Sequence, residues 1–390
     1  MRAERFPLGA AVTLDDLEGN LHSTLHRLRK TEPVSWVSAL GAWLITSRDI
    51  AITVMLEDEG FTVDDPRFST AQIVGPSMLS TDGDKHARHR EPFADPYRKR
   101  QVDEDLGTWV GDEARRLVGE LQPLGTGELV TALAAPLAAA VIRQSLGLVD
   151  TEIEEMLGWY DAIVEAVEGI TAGRADQPEG RDAYRRLEEA VIRTIRQAEG
   201  SIPAQAARHS ITDVEVASNA AVIMFGAIAT SEAATASLLY HLLTHPQQLA
   251  AVEADRSLVA AAVEESLRLE PAAASIDRYA TRDTELAGVE IRKGDYVILS
   301  IAGANRDPAT FSEPDEFDLG RVNTRQHVTF AHGPHVCLGL HLARLETVEA
   351  VDAALDLLPG LGIDETRSAP PSGLIFRKPA AVQAIWETDH

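Results

Sequence analysis

From Thr212 to Pro246 the chain has no internal proline and a single glycine, Gly226. Thr212-Asp-Val-Glu215 opens the stretch as a capping box, with alcohol and carboxylate spaced to satisfy each other's backbone N–H groups. Roughly 30 residues then form a helix of about 45 Å, long enough to cross a molecule of this size. Elsewhere most of the chain also reads as helix. Residues 33–46, 281–300 and 373–386 are richer in alternation and β-branched residues and predict short strands. The expectation is a mainly α fold with a small β-rich part.

Composition sets limits. The 390 residues are 45% hydrophobic and 25% charged, with 27 glycines and 19 prolines spread throughout, so one compact domain over 1–390 is expected. A net charge of −25 argues against nucleic acid. The N-terminus has no apolar signal segment, and the stretch Ala132–Ile142 is broken by Pro136 and too short to span a bilayer. With one cysteine there is no internal disulfide, which fits a reducing compartment. A cytoplasmic protein without membrane contact is expected.

That cysteine, Cys337, lies in Phe330-Ala-His-Gly-Pro-His-Val-Cys-Leu-Gly-Leu-His-Leu-Ala-Arg344. Gly333 and Pro334 break regular structure and Leu338–Glu346 has helical spacing, which places Cys337 at a helix N-terminus. Unpaired N–H groups and the helix dipole there favour a thiolate. Gly339 leaves the sulfur open to backbone donors. Four uses compete: an inert thiol, a zinc ligand with His332, His335 and His341, a nucleophile with a histidine base, and a haem-iron ligand.

Phe330, Gly333, His335, Cys337, Gly339 and Leu342-Ala343-Arg344 resemble the cysteine-loop signature of the cytochrome P450 family. Glu265-Ser-Leu-Arg268 is similar to the family's Glu-x-x-Arg helix, although alone it reads as an exposed salt bridge. Arg321 in Phe317-Asp-Leu-Gly-Arg321 resembles the meander arginine that completes the pair, and Ala304-Asn-Arg-Asp-Pro308 with Phe311 the segment before it. The resemblance runs from Pro33-Val34 and Trp43-Leu44 to the strand near Trp386.

It implies haem b (iron protoporphyrin IX) on Cys337, with Phe330, His335 and Gly339 around it. His86 and Arg90, and Arg278 with His335, would meet the two propionates. Val74, Met78, Phe225, Ala229, Ala273, Ile276, Ile375 and Phe376 would face a small hydrophobic substrate. Gly173–Gly180, between two helices, resembles the turn of a movable lid. A ferredoxin with its reductase would supply electrons; Arg98-Lys-Arg100, Arg115, Arg116 and Arg344 are candidate docking charges.

In Met224-Phe-Gly-Ala-Ile-Ala-Thr-Ser-Glu-Ala-Ala-Thr235 the chain departs from the family's oxygen-binding segment. With Gly226 in the family glycine's place, the acid position is Ile228 and the alcohol position Ala229. Three routes stay open: Thr230, Ser231 and Glu232 act through a shifted or bulged turn; a substrate hydroxyl or water fills the gap at Ala229; or the enzyme uses peroxide or performs coupling, rearrangement or nitration. Ala229, Thr230 and Glu232 therefore join Cys337 as catalytic candidates. The expected function is a haem-thiolate monooxygenase of bacterial natural-product biosynthesis with atypical proton delivery. A haem sensor without turnover is the reading from another class.

Overall fold

A computed structural model describes residues 2–57, 59–171, 173–174 and 177–388. Two compact units divide the chain. One is built from residues 1–62, 111–134 and 230–390, the other from 63–110 and 135–229. The division falls inside the helix Asp213–Thr244, which is continuous α-helix over 32 residues. Its predicted capping box is formed, with Thr212 N–H donating to Glu215 Oε2 at 2.9 Å and Glu215 N–H to Thr212 Oγ1 at 3.3 Å. By length and composition this helix also passes as a membrane span, a match the shorter stretch 132–142 had not suggested; two-thirds of its most apolar window is buried. That burial is what a core helix needs.

The first unit carries the sheets. Five strands run in the order Val34–Val37, Ala42–Ile45, Tyr296–Ser300, Ser275–Ala280, Phe61–Thr62, the second and third parallel and the other neighbours antiparallel. Trp43, Ile45, Val297 and Leu299 pack in one core cluster, whereas Ala42, Leu44 and Ile298 pack in another. Both faces of these strands are therefore covered, so their sequences are continuous apolar runs rather than alternating ones. A three-stranded sheet joins Thr126–Glu128, Gln383–Ile385 and Gly362–Ile363.

The predicted β regions were too narrow in one place and too wide in another. Ser275–Ala280 lies ahead of 281–300, its polar Asp277 and Arg278 having masked it; within 373–386 only Lys378–Pro379 and Gln383–Ile385 are strand. Helices Val259–Leu269 and Leu340–Leu357 pack together in this unit.

The second unit is helical. Ile153–Thr171 packs on Pro178–Gln197, and both pack on Ser69–Val74. Ala183, Leu187, Ala190, Val191 and Thr194, a stripe of helical period, are the buried face of Pro178–Gln197. Of the predicted lid turn Gly173–Gly180, Ala175 and Asp176 lie outside the described residues.

Candidate functional site

The cysteine loop is held from several sides. Cys337 N–H donates to the Phe330 carbonyl at 2.8 Å, closing the segment on itself. Gly333 has φ +73°, and a Cβ there would stand 2.7 Å from the Met55 carbonyl, so only glycine fits. The Arg344 guanidinium lies 4.5 Å from the Phe330 ring centroid and binds both carboxylate oxygens of Glu264. The helix begins at Leu340 with Gly339 as N-cap, two residues later than predicted, because the turn continues through Leu338. Cys337 consequently sits just ahead of the helix end rather than on it, and it is exposed.

The Glu-x-x-Arg pair is not the exposed salt bridge its spacing alone suggests. Glu265 and Arg268 are fully buried, with Arg268 Nε and Nη2 on the carboxylate at 2.9 and 2.7 Å. Arg321 Nε adds a third bond at 2.9 Å. Arg268 also donates to the carbonyls of Asn305, Pro314 and Glu316. Phe311 lies beneath its guanidinium, 5.3 Å away. Both charges are thus paired and fully hydrogen-bonded, the condition under which burial is tolerated. The cluster ties the meander to the helix Val259–Leu269, and Asn305 continues outward, accepting from Val328 N–H and donating to Thr329 Oγ1.

Other candidates fall in separate units. In the first, Arg278 is buried in the strand Ser275–Ala280. His335 ends the short turn Gly333–His335, and Ile276 is half-buried in the same strand as Arg278. Ala273 bridges Phe376, Ala274 N–H bonds the Ile375 carbonyl at 2.8 Å, and Arg377 N–H the Ala272 carbonyl at 2.9 Å. The two predicted wall segments 272–276 and 374–376 therefore run side by side. Ile375 and Phe376 keep 49% and 40% of their surface exposed. In the second unit, Val74 ends the helix Ser69–Val74 and Met78 is buried in the following turn. His86 and Arg90 share one face of the helix Gly83–Ala94, the former buried and the latter half-buried. Phe225 and Ala229 are half-buried on the long helix.

The middle of that helix has two opposed faces. Ile223, Gly226, Ala227 and Thr230, at helical spacing, are its more open stripe. Ile228 and Glu232, one turn apart, lie on the opposite side and are buried. No bulge interrupts the turns. Thr230 thus shares a face with Gly226, and Glu232 does not. The Glu232 carboxylate instead receives Lys378 Nζ at 2.5 Å. Of the shifted-turn candidates, Thr230 alone occupies the stripe.

One group escaped the sequence reading. Glu346, nine positions past the cysteine, is 1% exposed and hydrogen-bonded to Ser231. Burial without a cation pushes its carboxyl up to about 8, so it is protonated at neutral pH. In sequence it looks like one more acid on an amphipathic helix; its burial depends on which face the long helix covers.

The structure bears on two further readings of the sequence. Among the described residues no three metal-ligating side chains come together, so His332, His335, Cys337 and His341 do not form a zinc cage. Each candidate docking cation is matched by a carboxylate: Arg98 by Asp95, Lys99 by Asp103, Arg100 by Glu104, Arg115 by Asp356, Arg116 by Glu113 and Glu120, and Arg344 by Glu264.

Comparison with known proteins agrees with this geometry. The family model for cytochrome P450 matches residues 190–351. Cytochrome P450 monooxygenase PikC of Streptomyces venezuelae is 32% identical over 372 residues, covering 90% of this chain and 86% of that one. Nocardicin C N-oxygenase of Nocardia uniformis subsp. tsuyamanensis is 31% identical over 410 residues, covering 98% of each. The structure of P450BioI in complex with an acyl carrier protein ligated to hexadec-9Z-enoic acid superposes with a TM-score of 0.87 at 24% identity, over 96% of this chain and 100% of that one, and shows the same fold. The chain belongs to the cytochrome P450 family. It is a P450 monooxygenase, and its cofactor is haem.

The residues present fit that group. A Cβ on Gly339, beside the exposed thiol, would meet no atom of the chain within 4 Å, and the same holds for Gly226 on the open stripe of the long helix. At Gly339 this leaves space for a macrocycle beside the sulfur.

Proposed function

We propose that this chain inserts one oxygen atom of O2 into an apolar small molecule of bacterial natural-product metabolism, acting as a single cytoplasmic domain. Cys337 would hold the iron. His86, Arg90, Arg278 and His335 would meet the propionates, with Phe330 and Gly339 beside the sulfur. Bound there, haem supplies dioxygen activation, and a thiolate ligand favours O–O cleavage. The observation that carries the assignment is the exposed thiol on a loop tied by Phe330, Gly333 and the Arg344–Glu264 pair. PikC, named as a monooxygenase, and nocardicin C N-oxygenase, named for the compound it oxygenates, support oxygenation of a natural product. So do the exposed apolar side chains of Ile375 and Phe376 beside Ala273 and Ile276, which with Val74, Met78, Phe225 and Ala229 would form the substrate wall. Electrons would come from a ferredoxin and its reductase.

Oxygen insertion with release of water consumes two protons. Thr230 would hold one on the open stripe, in place of the missing alcohol at Ala229. Glu346 would supply the acid, since it is protonated at neutral pH and bonded to Ser231 at the same turn. Glu232 is paired with Lys378 and would orient the helix rather than deliver protons.

Absorption spectroscopy of purified protein titrated with hydrophobic natural-product precursors tests the reading. A haem band absent from Cys337→Ala, and shifted in the native protein by at least one compound, is the expected result. Failure to form the band in native protein supplied with haem sinks the iron assignment. For the proton route, Thr230→Ala should raise the fraction of reductant lost without product, by roughly tenfold or more in coupling; unchanged coupling would return the relay to the substrate's own hydroxyl.

A further inference from the structure

Asn219 is a buried amide in the apolar first half of the long helix, within the helical unit, and has no part in the scheme above. Its Oδ1 accepts the backbone N–H of Met78 at 2.8 Å. Its Nδ2 donates to the Glu215 carbonyl at 2.7 Å and lies 2.8 Å from His89 Nδ1. One residue earlier, Ser218 Oγ donates to the Pro76 carbonyl at 2.8 Å. The turn so gripped is wired to itself, with Ser77 N–H on Ser80 Oγ at 3.1 Å and Thr81 Oγ1 on the Ser77 carbonyl at 2.7 Å. Two adjacent residues of the long helix fix where that turn sits.

The amide has only one acceptor, and Met78 uses it. Its Nδ2 therefore faces His89, whose Nδ1 must accept, leaving the ring proton on Nε2, 4.0 Å from Glu215 Oε1. A doubly protonated ring would set N–H against NH2. Relieving that clash by flipping the amide would put a donor against Met78 N–H. The charges acting on the ring are Glu215 from the long helix and Arg88 from its own helix, which pair with each other at 2.6 Å. The helix Ile202–Ala206, packed on the same helix, has no ionisable residue. Burial depresses the His89 pKa, in keeping with a neutral ring.

We propose that Asn219 is a positioning residue for the substrate-facing Met78 turn, and that the neutral His89 ring holds its amide in the required orientation. The inference rests on the reading of Val74 and Met78 as pocket wall. It also links the turn to the helix that carries His86 and Arg90, since His89 lies on that helix. Loss of a proton acceptor at either residue releases the turn without touching the iron ligand.

Hydrogen exchange of the Met78 amide in the haem-loaded protein reads the contact directly, and the ratio of 4-phenylimidazole to imidazole affinity reads the wall separately from the iron. Asn219→Ala should speed Met78 exchange by about tenfold, the worth of one buried hydrogen bond, and lower the ratio. In the native protein, exchange corrected for its intrinsic pH dependence should rise in acid. His89→Asn, which keeps an acceptor at the δ position and cannot titrate, should retain protection and lose that rise; His89→Leu should lose protection at every pH, and it serves if Asn219→Ala does not fold. Unchanged Met78 exchange in folded, haem-loaded variants overturns the proposal, and faster exchange with an unchanged ratio overturns the substrate-facing role. Absence of haem from the native protein is the separate failure of the functional reading.

Discussion

Glu264 and Glu346 sit on two helices packed against each other, both buried, and they have opposite fates. Burial alone would raise either carboxyl. Glu264 has His327 Nε2 at 3.0 Å and both ends of the Arg344 fork, and these partners hold it down to about 2. Glu346 has Ser231 as its one partner among the described residues, and it is pushed up to about 8. Two buried carboxyls therefore become an anion beside the cysteine loop and a neutral acid beside the long helix. The partner, not the residue type, sets the charge of each buried carboxyl.

The strongest way to break the scaffold side of this contrast is Arg268→Ala, which leaves the buried Glu265 carboxylate with Arg321 as its cation beside the Asp318 N–H and the Thr324 hydroxyl. The expected cost is about 3–5 kcal/mol, seen as lost soluble yield or a steep fall in Tm. A Tm within a few degrees of native would mean that Arg321 suffices. Glu346→Gln sharpens the other side. Between pH 4.5 and 8 the unfolded carboxyl is ionised while the folded one keeps its proton, so native stability falls as pH rises through that window. The glutamine variant needs no proton, and its advantage should grow from near zero at pH 4.5 to about 3 kcal/mol at pH 7. Parallel stability curves for the two proteins would refute the raised pKa.

Glu264 has the reverse sign. Its folded pKa is depressed, so its contribution is complete above about pH 4.5 and disappears towards pH 2. Glu264→Gln should cost about 2 kcal/mol at pH 7 and nothing near pH 2, by urea unfolding at each pH. The smallest effect is expected at Lys378→Met, where the ammonium is 43% exposed. About 1 kcal/mol or less should be lost, with product coupling unchanged; a coupling defect would return Glu232 to the proton route.

Much of the scaffold was legible because its signals are local. The capping box at Thr212, the uninterrupted helix to Pro246 and the glycine at 333 each answer to a backbone rule that neighbours in sequence decide. The spacing of Glu265 and Arg268 was legible as well, but their complete burial was not, since an exposed pair has the same spacing. The strand Ser275–Ala280 was missed for a related reason: a buried arginine and aspartate inside it read as loop.

The sequence by itself determined the long helix, the cysteine loop and the family to which both point, because these depend on residue identity at short, fixed separations. Which face of the long helix stays open was decided only in three dimensions, as were the Lys378 partner of Glu232, the neutral state of Glu346 and the grip of Asn219 on Met78. Those outcomes join residues 141 to 146 positions apart or depend on what covers a side chain. Burial and charge pairing are set by contacts that only a finished tertiary structure makes.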